Sequence, residues 1–524
     1  MNPEFTPVLT GVAFAALIVA LTAFGRKLPV PPPVLQVLAG IGIGLIPGVR
    51  VPELEPELVF FFFLPPILWA AAYFTSLREF RANQRPIGLL AIGLVLATSA
   101  GIAVVARALF PEMPWAVAVA LGAIVSPPDA VAASAIVSRL PVPRRVVVIL
   151  EGESLVNDAS ALVLYRTAVA AAVTGFFSVG ESVVRFFIDA GIGALIGIAI
   201  GWCIIVAARR TKDPLAETLL TLAGPYLAWV TAESLHVSAV LACVAGGLYL
   251  RQYISTAVSP VSRVQALAVW ELFVFVLNAL IFVLLGLQVT GVARDVIAGG
   301  SGQVVIAGLI IGVVAIAIRL VWVPLATYLP RWLDADIRRK DPLPSKRAMF
   351  LVAWTSMRGI VSLAAALALP RTLADGSAFP YRHEILVVTI CVIVVTLIVQ
   401  GLSLAPIITR FAFARETAHH AEQRFARREA IRRAAEALEH AAREPESHPA
   451  DVDALRAELR ERLRQHDEDG DRAAGRRRLR MTLQAAERRV LVRLRNEGAI
   501  SDEVLRELEQ ELDLEAMRLG SAHR

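Results

Sequence analysis

The chain has 524 residues, of which 56% are hydrophobic and only 19% charged, and the charges crowd into short loops and roughly the last hundred residues. That balance excludes an ordinary soluble enzyme over most of the length and describes a polytopic protein whose main surroundings are the lipid bilayer, followed by a polar tail. The formal net charge of +6 is what basic cytoplasmic loops require and implies no nucleic-acid partner.

From the start of the chain, Met1 to Thr6 carries Glu4 and no basic cluster. It lacks the positive flank of a signal peptide, so the first span is expected to stay. Apolar stretches of about 17–25 residues between charged or Pro/Gly-rich breaks predict roughly 13 transmembrane helices. They start near Pro7, Pro32, Leu58, Pro86, Pro114, Val146, Arg185, Leu215, Val237, Leu267, Val304, Ala348 and Glu384. Lys and Arg counted in alternate loops fall about 19 to one side and about 6 to the other. The rich side includes Arg26-Lys27, Arg78, Arg81, Arg85, Arg139, Arg144-Arg145, Arg209-Arg210-Lys212 and Arg338-Arg339-Lys340. This asymmetry predicts a multi-pass cell-membrane protein with its N-terminus outside and its tail in the cytoplasm.

The fifth span is interrupted by Ser126-Pro127-Pro128-Asp129. Two adjacent prolines remove two backbone donors and free carbonyls one turn earlier, so the helix is expected to break there. Broken helices at membrane depth survive where they line a protein cavity, and they commonly build the ion site of a secondary transporter. The sixth span carries Glu153, Asn157 and Asp158. At about 100° per residue Asn157 shares nearly the face of Glu153, while Asp158 points to an adjacent one. The cysteines Cys203, Cys243 and Cys391 lie in apolar runs without ligand spacing and read as packing residues.

In the eleventh span Arg319 is a second intramembrane charge, and Glu153 is its expected partner because few other acids lie at that depth. The twelfth span is cut by Trp354-Thr355-Ser356-Met357-Arg358-Gly359. Breaks seven spans apart are what two inverted six-helix repeats with one linking helix produce, since an odd offset reverses the second copy. The two breaks would then cross, with Asp129 beside a positive helix end and Arg358 beside a negative one. Simple helix kinks with snorkelling side chains are the alternative the residues leave open.

After Pro406 the composition turns to Arg, Glu and Ala. Leu455-Leu459-Leu463 and Val504-Leu505-Leu508-Leu512 recur at helical spacing, which predicts a helical cytoplasmic tail over 411–524 behind a membrane domain over 1–410. Gly498 would end one helix, and Ser501 before Asp502-Glu503 would cap the next. Pro445, Pro449 and the Asp467–Asp471 run mark linkers. The tail is either a solvated appendage or a regulatory or dimer-stabilising module.

Four motifs, FLPPILW at Phe63 to Trp69, SPPDAVA at Ser126 to Ala132, EGESLVND at Glu151 to Asp158 and MRGIVSLAAALALP at Met357 to Pro370, stand in one order across the membrane domain. With the NEGAISDEVLRELEQELDLE stretch of the tail, the chain resembles the electroneutral sodium/proton exchangers of the monovalent cation:proton antiporter-1 family. The resemblance implies that Asp158 binds the cation and the proton, with Asn157 beside it, Asp129 from the broken helix and Ser154 as a further ion or water ligand. It also implies that Glu153 and Arg319 brace the core and that Arg358 belongs to the second broken helix. A homodimer is implied as well, with a core that moves like an elevator against a dimerisation domain and a role in pH homeostasis. Pro128 stands where the family commonly has Thr, and Ala70 where many members carry an acid; both remove oxygen ligands near the site.

The donor set of Asp158, Asp129, the Asn157 carbonyl, Ser154, Ser126 and freed backbone carbonyls suits a hard monovalent cation. The transported ions are then Na+ and H+, with no resident cofactor and no catalytic residue. A carboxylate bearing either ion is neutral, whereas a bare one in the moving core crosses at a penalty of several kcal/mol. One titrating carboxylate predicts one-for-one exchange that ignores membrane potential. Potassium, lithium or a broader cation set, and a gated cation channel or membrane sensor that uses the same polar cluster structurally, are the competing readings.

Overall fold

The computed structural model describes residues 30–47, 55–137, 140–175, 179–211, 213–254, 257–299, 302–373, 376–411, 413, 417–443 and 448–467, with isolated positions within 16–21 and 483–508. The expected span near Pro7, the basic residues Arg26, Lys27, Arg139 and Lys212, Pro445, and nearly all of the tail from 468 onward lie outside the described residues. That portion includes Asp469, Gly498 and Ser501.

Helices are the architecture. Among the described residues the sole extended pairing is a single bridge between Thr372 and Ala378. In chain order the first unit contains α1 (Pro32–Gly44), α2 (Val59–Phe74), α3 (Gln84–Leu109), α4 (Trp115–Val125) and α5 (Ala130–Val137). It continues with α6 (Arg144–Thr174), α7 (Val179–Arg210), α8 (Pro214–Ser234), α9 (Ala239–Tyr253) and α10 (Pro260–Gly299). It closes with α11 (Gly302–Leu333), α12 (Lys346–Trp354), α13 (Ile360–Leu367) and α14 (Arg382–Phe411).

Five of these, α3, α7, α10, α11 and α14, carry stretches long and apolar enough to cross a membrane by length and composition. Several helices outrun the 17–25 residues read from hydropathy: α10 has 40 residues and α11 has 32. At 1.5 Å per residue they exceed a hydrocarbon layer of about 30 Å. Hydropathy marks the lipid-soluble part of a helix, while backbone hydrogen bonding carries it on into the interface.

Local chemistry sets the ends. Asp213 caps α8 by accepting from the Leu215 amide at 3.1 Å, with Pro214 at the first helical position. Ser238 and Ser345 cap α9 and α12 in the same way, at 3.3 and 3.2 Å, each satisfying a donor the helix leaves unpaired. The long α6 begins after Pro143 and stops at Gly175, whose φ of 76° is the left-handed conformation of a helix C-terminus.

The cysteines form no disulfide. Cys243 is buried, but Cys203 is exposed on α7, so it faces the surroundings of the fold and does not pack within it.

The chain divides into two compact units, Met1–Arg415 and Glu416–Arg524. In the second, α15 (Thr417–Ala441) packs on α16 (Pro449–Asp467), and Arg456 joins Glu439 through two hydrogen bonds of 2.6 and 2.7 Å. Val452 of α16 is buried and Leu455 is 47% exposed. Leu459, about two turns on from Val452, is half-buried.

Candidate functional site

Two interrupted helices meet inside the first unit. The break between α4 and α5 spans Ser126 to Asp129, and the break between α12 and α13 spans Thr355 to Gly359. Prolines explain the first break. In the second, Gly359 is fully extended, with φ of −138° and ψ of −151°.

Breaking a helix strands carbonyls, and at membrane depth each needs a partner. Gly122 O accepts from the Ser126 amide at 2.9 Å, and Ala123 O from the Ser126 hydroxyl at 3.1 Å. Val125 O accepts from Arg358 Nε at 3.0 Å. Pro128 O accepts from Asn157 Nδ2 at 3.0 Å, and Met357 O from the Asp129 amide at 2.7 Å. On the α12 side, Leu351 O accepts from the amide and hydroxyl of Thr355, at 3.0 and 2.8 Å. Val352 O accepts from Arg319 Nε at 3.1 Å. The two breaks therefore satisfy one another, with α6 and α11 supplying the remaining donors.

The charges follow the helix ends. Arg358 lies across the C-terminus of α4, donates to both the carbonyl and hydroxyl of Ser356, and receives its own backbone support from Thr396, whose Oγ1 accepts the Arg358 amide at 3.1 Å. Asp129 stands immediately before α5 and lies against Gly359 at the start of α13: a Cβ added at Gly359 would come within 2.6 Å of Asp129 Cγ. A cation at a C-terminus and an anion at N-termini each complement the helix dipole. Only a residue without a side chain leaves Asp129 this position.

Helix α6 brings the other groups. Glu153 and Arg319 are each 1% exposed and form a two-pronged pair, Nη1 to Oε1 and Nη2 to Oε2, the latter at 2.7 Å. Asn157 is fully buried; its amide nitrogen is spent on Pro128, and its Oδ1 has no protein partner among the described residues. Asp158 is buried beside it and is close enough to Asp129 to feel its charge. Ser154 sits half-buried one turn before Asp158. All seven residues singled out from the sequence thus lie on the two breaks or on the helices that brace them.

Sequence reasoning missed a polar row on α14. Thr389, Thr396 and Gln400 are fully buried and lie along one face at seven- and four-residue spacing. Thr389 Oγ1, both amide atoms of Gln400 and the Ser362 hydroxyl of α13 have no protein partner among the described residues. Ordered water or a transported ion satisfies groups of this kind. The signal was present, since three polar residues on one face of an otherwise apolar span are themselves unusual.

A model of the transmembrane sodium/hydrogen exchanger family matches residues 13–410. The chain belongs to the sodium/hydrogen exchanger family. It is 36% identical over 522 residues, 97% of this chain and 95% of the relative, to an uncharacterized Na+/H+ exchanger of Mycobacterium tuberculosis. It is also 36% identical over 407 residues to a sodium, potassium, lithium and rubidium/H+ antiporter of Bacillus pumilus, covering 76% of this chain and 60% of that one. The fold matches that of the sodium proton antiporter MjNhaP1 from Methanocaldococcus jannaschii with a TM-score of 0.61 at 19% identity, over 79% of this chain and 99% of the other. Membership in this transporter family supports cation/proton antiport.

Proposed function

We propose that the protein exchanges one monovalent cation, sodium in the first instance, for one proton across the cell membrane, with Asp158 as the group that the two ions occupy in turn. The observation that carries this reading is the charge count of the assembly at the two breaks and on the helices that brace them. Arg319 and Arg358 supply two positive charges; Glu153, Asp129 and Asp158 supply three negative ones. One bound proton or one bound cation neutralises the set, and a core carrying an uncompensated charge meets a barrier of several kcal/mol.

In this cycle the Glu153–Arg319 pair and Arg358 keep their charges and their hydrogen bonds, so they act as scaffold. Asn157 holds the first break through Pro128 O and turns Oδ1 toward the cargo. Asp129, Ser154 and Ser126 complete the oxygen set around the cation. Release of the proton from Asp158 opens the carboxylate to the cation, and binding of either ion licenses movement.

The transport reading takes the chain as roughly 13 helices in two inverted repeats, assembled as a homodimer, with an elevator-like core. The N-terminus lies outside, and the 411–524 tail is a cytoplasmic, regulatory region. The meeting of Arg85, Arg145 and Arg331 around Asp341 supports the sidedness, because loops that the charge count put on one face come together.

A broader cation set is the second reading. The name of the Bacillus pumilus relative favours it, as do Pro128 and Ala70, which offer no side-chain oxygen.

The test is proton movement in proteoliposomes, followed with a pH dye on addition of sodium, lithium, rubidium or potassium, with the membrane potential imposed by an ionophore that does not carry the tested ion. Cation-driven alkalinisation of an acid interior at a rate independent of potential is the expected result. Voltage-dependent rates would mean that a second group, Asp129 first, carries another proton. Stochastic single-channel currents would return the protein to the channel reading.

A further inference from the structure

Away from the exchange site, a pocket lies where the ends of α2, α8, α9 and α10 meet, on the face that carries the basic loops. Glu217, in the first turn of α8, lines it. This residue is 4% exposed, and among the described residues its carboxylate takes a single long hydrogen bond, from the Ser259 amide at 3.4 Å. Among the described residues it has no ion pair. The start of α8 offsets part of its charge, but a nearly buried carboxylate without a cation is an expensive arrangement.

The surrounding polar groups are already engaged with one another. Trp270 Nε1 donates to Thr221 Oγ1 at 3.1 Å, Thr218 donates to Pro214 O at 2.9 Å, and the hydroxyls of Ser259 and Ser262 lie 2.7 Å apart. Glu217 is thus the acid offered to an occupant. The same wall carries one base, Arg263, which does not pair with Glu217 and reaches the Val258 carbonyl at 2.8 Å.

A bare metal ion would want several more oxygens than this pocket leaves open. An organic ammonium finds one carboxylate in a lining that also holds Tyr73 and Trp270. The remaining wall is largely apolar, and its outer members Phe74 and Leu267 are 49% and 46% exposed. In a membrane protein such residues open onto lipid. An acid and a base a short way apart in an apolar pocket at the bilayer edge complement a zwitterion with a hydrocarbon tail.

We infer that this pocket is a binding site for an aminophospholipid, with the lipid's primary ammonium on Glu217, its phosphodiester on Arg263 and its acyl chains leaving past Phe74 and Leu267. The site is separate from the exchange machinery, so its test reads lipid binding and not transport.

Purified full-length protein in detergent should be titrated with phosphatidylethanolamine, phosphatidylglycerol or free ethanolamine while its unfolding midpoint is followed. Phosphatidylethanolamine should raise the midpoint by at least about 3 °C more than phosphatidylglycerol, ethanolamine should leave it unchanged, and Glu217→Gln should abolish the difference between the two lipids. Equal stabilisation by both lipids, a full shift with ethanolamine alone, or an unchanged preference in Glu217→Gln would overturn the assignment. Native mass spectrometry of the unmodified protein from mixed micelles is the second measurement, independent of whether the variant folds. Preferential retention of phosphatidylethanolamine supports the site, and equal retention of both lipids removes it.

Discussion

Arg319→Leu is the perturbation that most sharply separates a structural brace from a transport group. The guanidinium holds both oxygens of Glu153 and the Val352 carbonyl released by the second break. Its loss strands a buried carboxylate, at about 3–5 kcal/mol, and leaves one buried carbonyl unpaired, at about 1–3 kcal/mol. Glu153→Leu strands the cation at a similar cost of about 3–5 kcal/mol. In the double variant no charge is stranded and only the Val352 carbonyl remains unmet, so its loss should be about 1–3 kcal/mol, well below the sum of the singles. The double variant also removes one positive and one negative charge, so the surplus of a single acid persists and exchange should stay electroneutral. Equilibrium unfolding of the purified proteins in detergent gives the three stabilities and hence the coupling energy. Single losses below about 1 kcal/mol, or losses that simply add, would refute the account of a buried pair worth conserving as a unit.

Gly359→Ala puts a methyl group into the Asp129 carboxylate; transport should fall at least about tenfold with the protein still folded, as read by proteoliposome flux beside a melting curve. Asn157→Asp replaces the donor to Pro128 O by a second acid, so residual flux should become sensitive to imposed voltage, and a voltage-independent rate would argue against the charge count. At the basic face, burial by itself would push the Asp341 carboxyl up, but the Arg145 hydrogen bond and the charges of Arg145, Arg331 and Arg85 outweigh it and hold the group below its ordinary range. A depressed carboxyl stabilises the fold above its unfolded pKa and loses that contribution as pH falls through its folded one. Stability should therefore decline below about pH 4, and Asp341→Asn should flatten that decline while lowering stability near neutrality by about 1–2 kcal/mol.

Some of this arrangement was legible in the residues because membrane depth leaves few options. Pro127 and Pro128 announce an interrupted helix, and Glu153 was matched with Arg319 by scarcity: a charge in the bilayer needs a partner, and few were on offer. What stayed hidden were contacts between segments far apart in sequence. Asn157 reads as an ion ligand, yet its nitrogen is occupied by Pro128 O, a bond that exists only after the broken helix is placed. Arg85 and Arg145 read as markers of sidedness, and nothing local shows that both reach Asp341 alongside Arg331. Gly359 carried no signal beyond its motif, because its importance is the space it leaves for Asp129. Thr396 and Gln400 were overlooked because hydropathy averages over a helix and suppresses its single polar face. Glu217 sits at a helix start, where an acid is ordinary, and only the pocket around it makes it unusual.

The most direct test of the central claim is sodium-driven proton movement by Asp158→Asn in proteoliposomes, compared with the unmodified protein at matched incorporation. An amide neither releases a proton nor offers a cation the same charge, so the account predicts that exchange falls to the rate of protein-free vesicles while the melting curve stays cooperative. Sodium-dependent proton flux that survives in the folded variant would contradict it and place the exchanging group elsewhere.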